Sequence, residues 1–242
     1  MAEDAAPISN DGQSANGKSK QRALIEIAVA YLLIMAVIWT PRPLQRILWL
    51  VAAAAVAAMT CLSFDGLDAM GLRRKNFLRS LWVPGAALAL AAVAIMIADQ
   101  MQTLEYPRGP IHFIRTFWAY ALWTFVQQFL MQCFFLLRLL RMMPGPKSAA
   151  FAAALLFALA HLPNPILAPV TLLWGFAACM IFLRYCNLYP LGMAHAIFGI
   201  TIAITVPGPV VHNMRVGLGY LTYKHRHRPA QLFQPQGPDR IH

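Results

Sequence analysis

Residues 113–137, FIRTFWAYALWTFVQQFLMQCFFLL, form an apolar run that is long enough to cross a lipid bilayer. A membrane-spanning helix needs roughly 17–25 predominantly apolar residues. Because lipid offers no hydrogen-bond partners, the backbone polar groups of such a segment must be satisfied within the segment, which favours a helix. We therefore predict a transmembrane helix here, ended by the helix-breaking sequence Pro144-Gly145-Pro146.

Six further apolar runs lie on both sides of this segment, and three of them are followed directly by proline. They cover residues 23–40, 44–64, 81–101, 148–162, 166–185 and 188–206. The run at 148–162 is short for a span and could instead be half-buried or re-entrant. The sequence therefore predicts an all-α, polytopic transmembrane helix bundle of about seven spans, within a range of six to eight.

The composition agrees with a membrane protein and excludes an ordinary soluble domain. Hydrophobic residues make up 59% of the 242 residues and charged residues only 12%, against about 45–50% and about 25% in soluble proteins. Valine and isoleucine are neither concentrated nor alternated with polar residues as a β-barrel requires. We predict a polar, disordered tail over 1–22, a transmembrane domain over 23–207 and a basic interfacial tail over 208–242.

The net charge of +11 comes from basic clusters that lie between the apolar runs. This distribution predicts positive-inside topology and contacts with anionic lipid head groups, with no nucleic-acid partner. Clusters assigned to the inside are Lys18, Lys20 and Arg22, then Arg73–Arg79, then Arg138, Arg141 and Lys147. With seven spans the basic tail Lys224-His225-Arg226-His227-Arg228 would lie outside, so one segment does not span, another inserts, or the tail is an exception. A plasma membrane or bacterial-type inner membrane is the expected location.

Other features of the chain give narrower expectations. The four cysteines lie in or beside apolar runs without a CxxC pair, which predicts neither disulfides nor a thiolate metal site. The mixed apolar and basic segment Asp65–Ser80 suits a short interfacial helix.

Polar side chains inside an apolar run are costly and tend to face the interior of a helix bundle. Thr124, Gln128 and Gln132 are spaced by four residues and so share one face of their helix, with Gln127 beside them. Such residues often only bond helices together, at about 0.6 kcal/mol each. Three glutamines so close together are more than this role needs, and we predict a polar site on this face.

Two histidines on other apolar runs extend this predicted site. His161 ends the run at 148–162, and His195 lies within the run at 188–206. A single intramembrane histidine is more often a satisfied structural residue. Together with the glutamines, the two histidines predict one shared polar site built from separate helices.

The order of these elements resembles the CAAX protease and bacteriocin-processing family, the Abi-type intramembrane proteases. Phe157-Ala158-Leu159-Ala160-His161, followed by Leu162-Pro163-Asn164, matches the family's Phe-x-x-x-His motif. His195-Ala196-Ile197-Phe198-Gly199 follows Asn-Leu-Tyr-Pro-Leu and matches the first part of His-x-x-x-Asn/Asp. Gln127-Gln128-Phe129-Leu130-Met131-Gln132 occupies the place of Glu-Glu-x-x-x-Arg. The resemblance covers about residues 81–207, the protease-like region.

The resemblance implies an intramembrane endopeptidase that cleaves a peptide or a prenylated protein near the membrane surface. It places His161, His195, Gln127 and Gln128 at the catalytic positions. Gln132, Thr124 and Asn164 would line the cavity as polar residues. In the family a motif glutamate activates water, but glutamine cannot take up a proton. Gln132 stands where an arginine would pair with the carboxylates, and Gly199 lacks the final polar side chain.

Few other residues could replace the missing carboxylates. Asp99, at the end of its apolar run, is the acid that could reach the cavity, and either histidine could itself act as a base. We predict no metal and no cofactor, although a metal held by both histidines stays open. Two nitrogens make a poor zinc site without a third ligand, for which His212 is a candidate.

Three functions remain open from the sequence. The first is an Abi-type peptidase with an altered site, acting on a peptide or membrane-protein substrate. The second is a catalytically inactive pseudoprotease that serves as a binding scaffold. The third is a small transporter, although the chain lacks the internal repeat that transporters often show.

Overall fold

The computed structural model describes residues 10–64, 66–105, 107 and 109–223, and all regular structure within these ranges is helical. The long helices are α1 (Asn10–Trp39), α2 (Leu44–Leu62), α4 (Trp82–Gln100), α5 (Pro110–Phe129), α7 (Pro146–Leu159), α8 (Leu167–Tyr185) and α9 (Tyr189–Thr205). Short helices are α3 (Phe77–Ser80), α6 (Leu137–Leu140), α10 (Gly208–Val211) and α11 (Gly217–Leu221). A π-helical segment, Leu130–Leu136, joins α5 to α6.

The prediction of an all-α transmembrane bundle is confirmed, with a helix at each of the predicted runs. Five segments are long and apolar enough to cross a membrane: Gly17–Trp39, Leu44–Leu62, Phe77–Gln100, Pro110–Leu140 and Leu167–Tyr185. Helices α7 and α9 are shorter apolar helices. Helix α7 has 14 residues and is therefore about 21 Å long, well short of a hydrocarbon core of about 30 Å.

Four helix pairs form the main contacts of the bundle: α1 with α2, α7 with α8, and α9 with both α4 and α5. Small residues allow the close approach of α7 and α8. Ala149, Ala150, Ala153 and Ala154 are almost fully buried, and a methyl group added at Gly175 would lie 3.3 Å from Ala154. Close packing through small residues is typical of helix association in membranes. Helix α9 is thus held between α4 and α5, which fixes the position of His195.

The predicted interfacial helix over Asp65–Ser80 is wrong for most of its length. Helical structure is confined to Phe77–Ser80 within the described residues 66–80. The preceding backbone is used instead to bind the loop between α8 and α9. Leu188 N donates to Gly71 O at 3.0 Å, and the Asn187 side chain donates to the carbonyls of Arg73 and Lys75 at 2.8 and 3.0 Å. Long-range hydrogen bonds therefore override the local helical pattern.

The C-terminal part of the described chain packs at the end of the bundle opposite Arg22. Gly217 lies against Ile38, close to the end of α1, and Gly217 N donates to Leu162 O at 2.8 Å. Residue 217 and Arg22 therefore lie at opposite ends of α1. The predicted basic cluster 224–228 lies outside the described residues.

Candidate functional site

The predicted glutamine face of α5 and the predicted histidine of α9 meet through hydrogen bonds. Gln128 Nε2 donates to His195 Nδ1 at 3.1 Å, and Gln132 Nε2 donates to Gln128 Oε1 at 3.2 Å. Both glutamines are fully buried and His195 is only 6% exposed. The three side chains form one chain of hydrogen bonds, which we call the Gln–His chain.

The orientation of the two amides in the structure corresponds to one protonation state of the His195 ring. An amide nitrogen only donates, so His195 Nδ1 accepts and carries no proton. The ring proton of the neutral imidazole then lies on Nε2. The Gln–His chain is therefore uncharged from end to end, in a place where unpaired charge would be costly.

His161 follows the end of α7 and shares an aromatic neighbour with His195. Its Nδ1–H donates to the Phe157 carbonyl at 2.7 Å, which leaves the lone pair on Nε2. The Phe157 ring is edge-on to both imidazoles, with ring centroids 4.7 Å from His161 and 5.7 Å from His195. The structure thus brings both predicted histidines to one site.

The remaining predicted polar residues occupy different positions around this site. Thr124 Oγ1 lies 2.7 Å from Ala121 O and 3.3 Å from Gly192 O, so it joins α5 to α9. Gln127 is half-buried, and its Oε1 has no hydrogen-bond partner within the described chain.

Asn164 is fully buried, and backbone groups engage both ends of its amide. Its Nδ2 donates to Val211 O at 2.9 Å and to Arg215 O at 3.1 Å. Its Oδ1 accepts from the backbone N–H groups of Ile166 and Leu167, at the start of α8. The side chain therefore connects the turn after His161 with the C-terminal segment.

The position of Gly199, where the family motif has Asn or Asp, is filled from α5. A Cβ added at Gly199 would collide with the hydroxyl and ring of Tyr120. Tyr120 continues the four-residue spacing of Thr124, Gln128 and Gln132, so this spacing could have identified it. A phenolic hydroxyl thus stands where the family has its third polar side chain.

Trp174 on α8 is a site neighbour that the sequence reasoning missed. Its ring centroid lies 6.3 Å from that of His195 and 5.0 Å from that of Phe198. Its buried Nε1 and the buried Gln132 Oε1 have no hydrogen-bond partner within the described chain. A tryptophan in an apolar run resembles any other core aromatic, so its place in the site could not be predicted from the sequence.

The helix that carries the Gln–His chain is locally irregular. Gln132 lies in the π-helical segment Leu130–Leu136. Single π-helical turns are rare and frequently occur at functional sites. The widened turn changes the direction of the residues that follow Gln128, and Gln132 remains buried beside it.

The other candidates lie away from the two histidines or in separate contacts. Asp99 is exposed at the end of α4. His212 stacks on Tyr220 with ring centroids 3.9 Å apart, and its Nδ1–H donates to Tyr220 O. In the described ranges no three His, Cys, Asp or Glu side chains group as metal ligands, and the four cysteines are free.

The arrangement combines neutral donors and acceptors with two imidazoles that have different protonated nitrogens. No carboxylate hydrogen-bonds to either imidazole among the described residues. The site can therefore bind a neutral polar group. The lone pair on His161 Nε2 is also available to accept a proton.

Comparison with known families agrees with the sequence motifs. Residues 109–201 match the family described as Rce1-like, type II CAAX prenyl endopeptidase Rce1-like. The match includes the Gln–His chain, His161 and Gly199, and it confirms the predicted resemblance for this region. Comparisons with curated proteins and with solved structures gave no significant match.

Proposed function

We propose that this chain, with residues 109–201 similar to type II CAAX prenyl endopeptidases, is a catalytically inactive relative of these peptidases. It would use the peptidase bundle as a membrane scaffold that binds a peptide or a membrane-protein segment. A plasma membrane or bacterial-type inner membrane is its proposed location. The observation that carries the proposal is the Gln–His chain, in which amides stand at positions where the resemblance to the family implies catalytic carboxylates.

Hydrolysis by the family's route requires a base that removes a proton from water. Gln127 and Gln128 cannot act as this base, because their side chains do not titrate. Gln128 also donates a hydrogen bond to His195 Nδ1, whereas a glutamate at this position would accept a hydrogen bond from the protonated Nδ1. The exchange of carboxylate for amide therefore reverses the sense of the hydrogen bond and occupies a histidine lone pair.

Binding is supported by buried polar atoms that lack partners within the described chain: Gln127 Oε1, Gln132 Oε1 and Trp174 Nε1. A buried polar group without a partner costs about 1–3 kcal/mol. A peptide amide carries both an acceptor and a donor, and its neutrality suits an uncharged site. A prenylated peptide is the substrate class that the family description implies.

One observation favours a second candidate, a peptidase that uses histidine as its base. The hydrogen bond from His161 Nδ1–H to Phe157 O leaves Nε2 unprotonated. This nitrogen could take a proton from water without any carboxylate.

A cleavage assay in lipid nanodiscs separates these two candidates. Wild type, His161→Ala and the double variant Gln127→Glu with Gln128→Glu would be incubated with prenylated and unprenylated peptides, and products read by mass spectrometry. The proposal expects that the wild type does not cleave the peptides. Any cleavage should come from the double variant alone. Cleavage by wild type that is lost in His161→Ala would overturn the proposal in favour of the second candidate.

A binding assay tests the scaffold role independently of cleavage. A photo-reactive amino acid would replace the exposed Leu162, beside His161, and in a control the exposed Leu88 of α4. We expect peptide crosslinks from position 162, reduced by Trp174→Phe, and none from position 88. Equal crosslinking from both positions would show nonspecific contact and contradict a binding site here.

A further inference from the structure

The segment 207–223 contains α10 and α11 and packs on the turn that carries His161; we call it the C-terminal strap. Three hydrogen bonds join it to residues 162–164. Asn164 Nδ2 donates to Val211 O and Arg215 O, and Gly217 N donates to Leu162 O. The strap is therefore fixed to residues directly after His161.

The strap is held in an unfavourable backbone conformation. His212, Asn213 and Met214 are consecutive residues with φ values of 47°, 51° and 60°. Left-handed conformations are disfavoured for residues with a Cβ, although asparagine tolerates them better. Such strain persists only where the surrounding contacts impose it. The hydrogen bonds from Asn164 to the carbonyls on either side of this turn are contacts of that kind.

The two ends of the Asn164 side chain have separate partners. Its Oδ1 accepts from Ile166 N and Leu167 N at the start of α8, within its own turn. Its Nδ2 binds the strap, 47 and 51 residues further along the chain. The Oδ1 atom thus stabilises the start of α8, and the Nδ2 atom holds the strap closed. A substitution that keeps the oxygen and removes the amide donor can therefore separate the two roles.

We infer that the C-terminal strap is a lid over the His161 end of the site and that Asn164 is its latch. Breaking the two Nδ2 hydrogen bonds would allow the strained turn to relax and open a path to His161. The inference takes the site from the proposed function, but it concerns access and holds whether or not the site hydrolyses peptides.

The test uses Asn164→Asp, an isosteric change that keeps an oxygen for Ile166 N and Leu167 N but removes the donor to the strap at pH 8. Hydrogen–deuterium exchange of residues 211–221 reports strap opening. A maleimide reacting with His161→Cys, in a chain with Cys61 and Cys186 replaced by Ser, reports access to the site. Thr201→Val is the matched control, because Thr201 Oγ1 binds only Ile197 O of its own helix among the described contacts.

We expect strap exchange and maleimide labelling to rise together by about tenfold in Asn164→Asp, the effect of losing about one or two net hydrogen bonds. Thr201→Val should change neither. Unchanged strap exchange would overturn the latch, and faster exchange with unchanged labelling would overturn the lid. If Asn164→Asp does not fold, Asn164→Ser takes its place with the same expected results, because a serine oxygen can still accept from the N–H groups at the start of α8 and its shorter side chain no longer reaches the strap carbonyls. A failed cleavage or crosslinking assay would leave both of these measurements interpretable.

Discussion

The continuous helical segment Pro110–Leu140, which consists of α5, the π-helical segment and α6 and is called the central helix below, carries two buried polar regions of opposite character. Around Gln128 and Gln132 the side chains are neutral amides joined to His195. Six residues after Gln132, Arg138 is 4% exposed and charged, and its Nε lies 2.6 Å from Glu26 Oε2 of α1. A buried charge is tolerated where a partner charge and hydrogen bonds surround it. The helix thus has an arginine, Arg138, where the carboxylate of Glu26 can pair with it. At Gln132, where the family motif has an arginine but the motif carboxylates are missing, it has a neutral glutamine.

The ion-pair region joins three parts of the bundle. Arg138 Nη1 donates to Phe134 O and Nη2 to Met59 O, both at 3.2 Å, and the guanidinium lies 3.7 Å from the centre of the Phe134 ring. Arg22 adds a second contact to Glu26 at 2.8 Å. The charged region is thus a structural joint between α1, α2 and the central helix, whereas the Gln–His chain leaves Gln132 Oε1 without a partner within the described chain.

Removing the carboxylate from the charged region should give the largest loss of stability. Glu26→Gln leaves Arg138 buried without its counter-ion, and we expect a loss of about 3–5 kcal/mol in the free energy of unfolding. Unfolding in mixed detergent micelles measures it. The double variant Glu26→Leu with Arg138→Met should lose clearly less than Glu26→Gln. If the double variant loses as much free energy of unfolding as Glu26→Leu and Arg138→Met lose in total when measured separately, the charge-pairing role is contradicted.

A medium effect is expected where the neutral region is tightly packed. Gly199→Ala places a methyl group into the Tyr120 side chain, and overpacking of this kind costs about 1–3 kcal/mol. In a chain that already carries Tyr120→Ala, the same substitution at Gly199 should cost less, because the ring that the methyl group meets is gone. Gly85→Ala in α4 is the matched control, since nothing lies within 4 Å of the added methyl group. Equal stability of the two alanine variants in thermal unfolding would show that Tyr120 does not fill this space.

The smallest effect is expected within the Gln–His chain itself. Gln128→Leu removes its interhelical hydrogen bond, and hydrogen bonds between membrane helices contribute about 0.6 kcal/mol on average. The same unfolding assay should therefore show a much smaller loss than Glu26→Gln. A loss as large as that of Glu26→Gln would mean that the neutral region is also a structural joint, and the contrast between the two regions would fail.

Residues within one helix or one motif were predictable from the sequence, while contacts between distant segments were not. The four-residue spacing of Thr124, Gln128 and Gln132 marked the face that reaches His195, and the same spacing extends to Tyr120. By contrast, Arg138 was assigned to an inside-facing loop cluster. Its partner Glu26 is 112 residues away, and no local pattern connects the two.

The wrongly predicted interfacial helix has the same cause. The apolar and basic pattern of residues 66–76 is compatible with a helix, but the Asn187 side chain and Leu188 N bind its carbonyls from the loop before α9. Asn187 is only 1% exposed, so these hydrogen bonds are made away from solvent. Nothing in either segment alone indicates this pairing.

The claim that an amide has replaced a carboxylate in the hydrogen bond to His195 can be measured directly. Nitrogen-15 NMR of histidine-labelled protein in nanodiscs distinguishes protonated from unprotonated Nδ1, with Gln128→Glu as the comparison. The structure predicts an unprotonated Nδ1 and a protonated Nε2 for His195 in the wild type, and a protonated Nδ1 in Gln128→Glu. A protonated Nδ1 in the wild type would show that Gln128 accepts this hydrogen bond rather than donating it. That result would contradict the claim that the Gln128 amide donates to His195 in place of an accepting carboxylate.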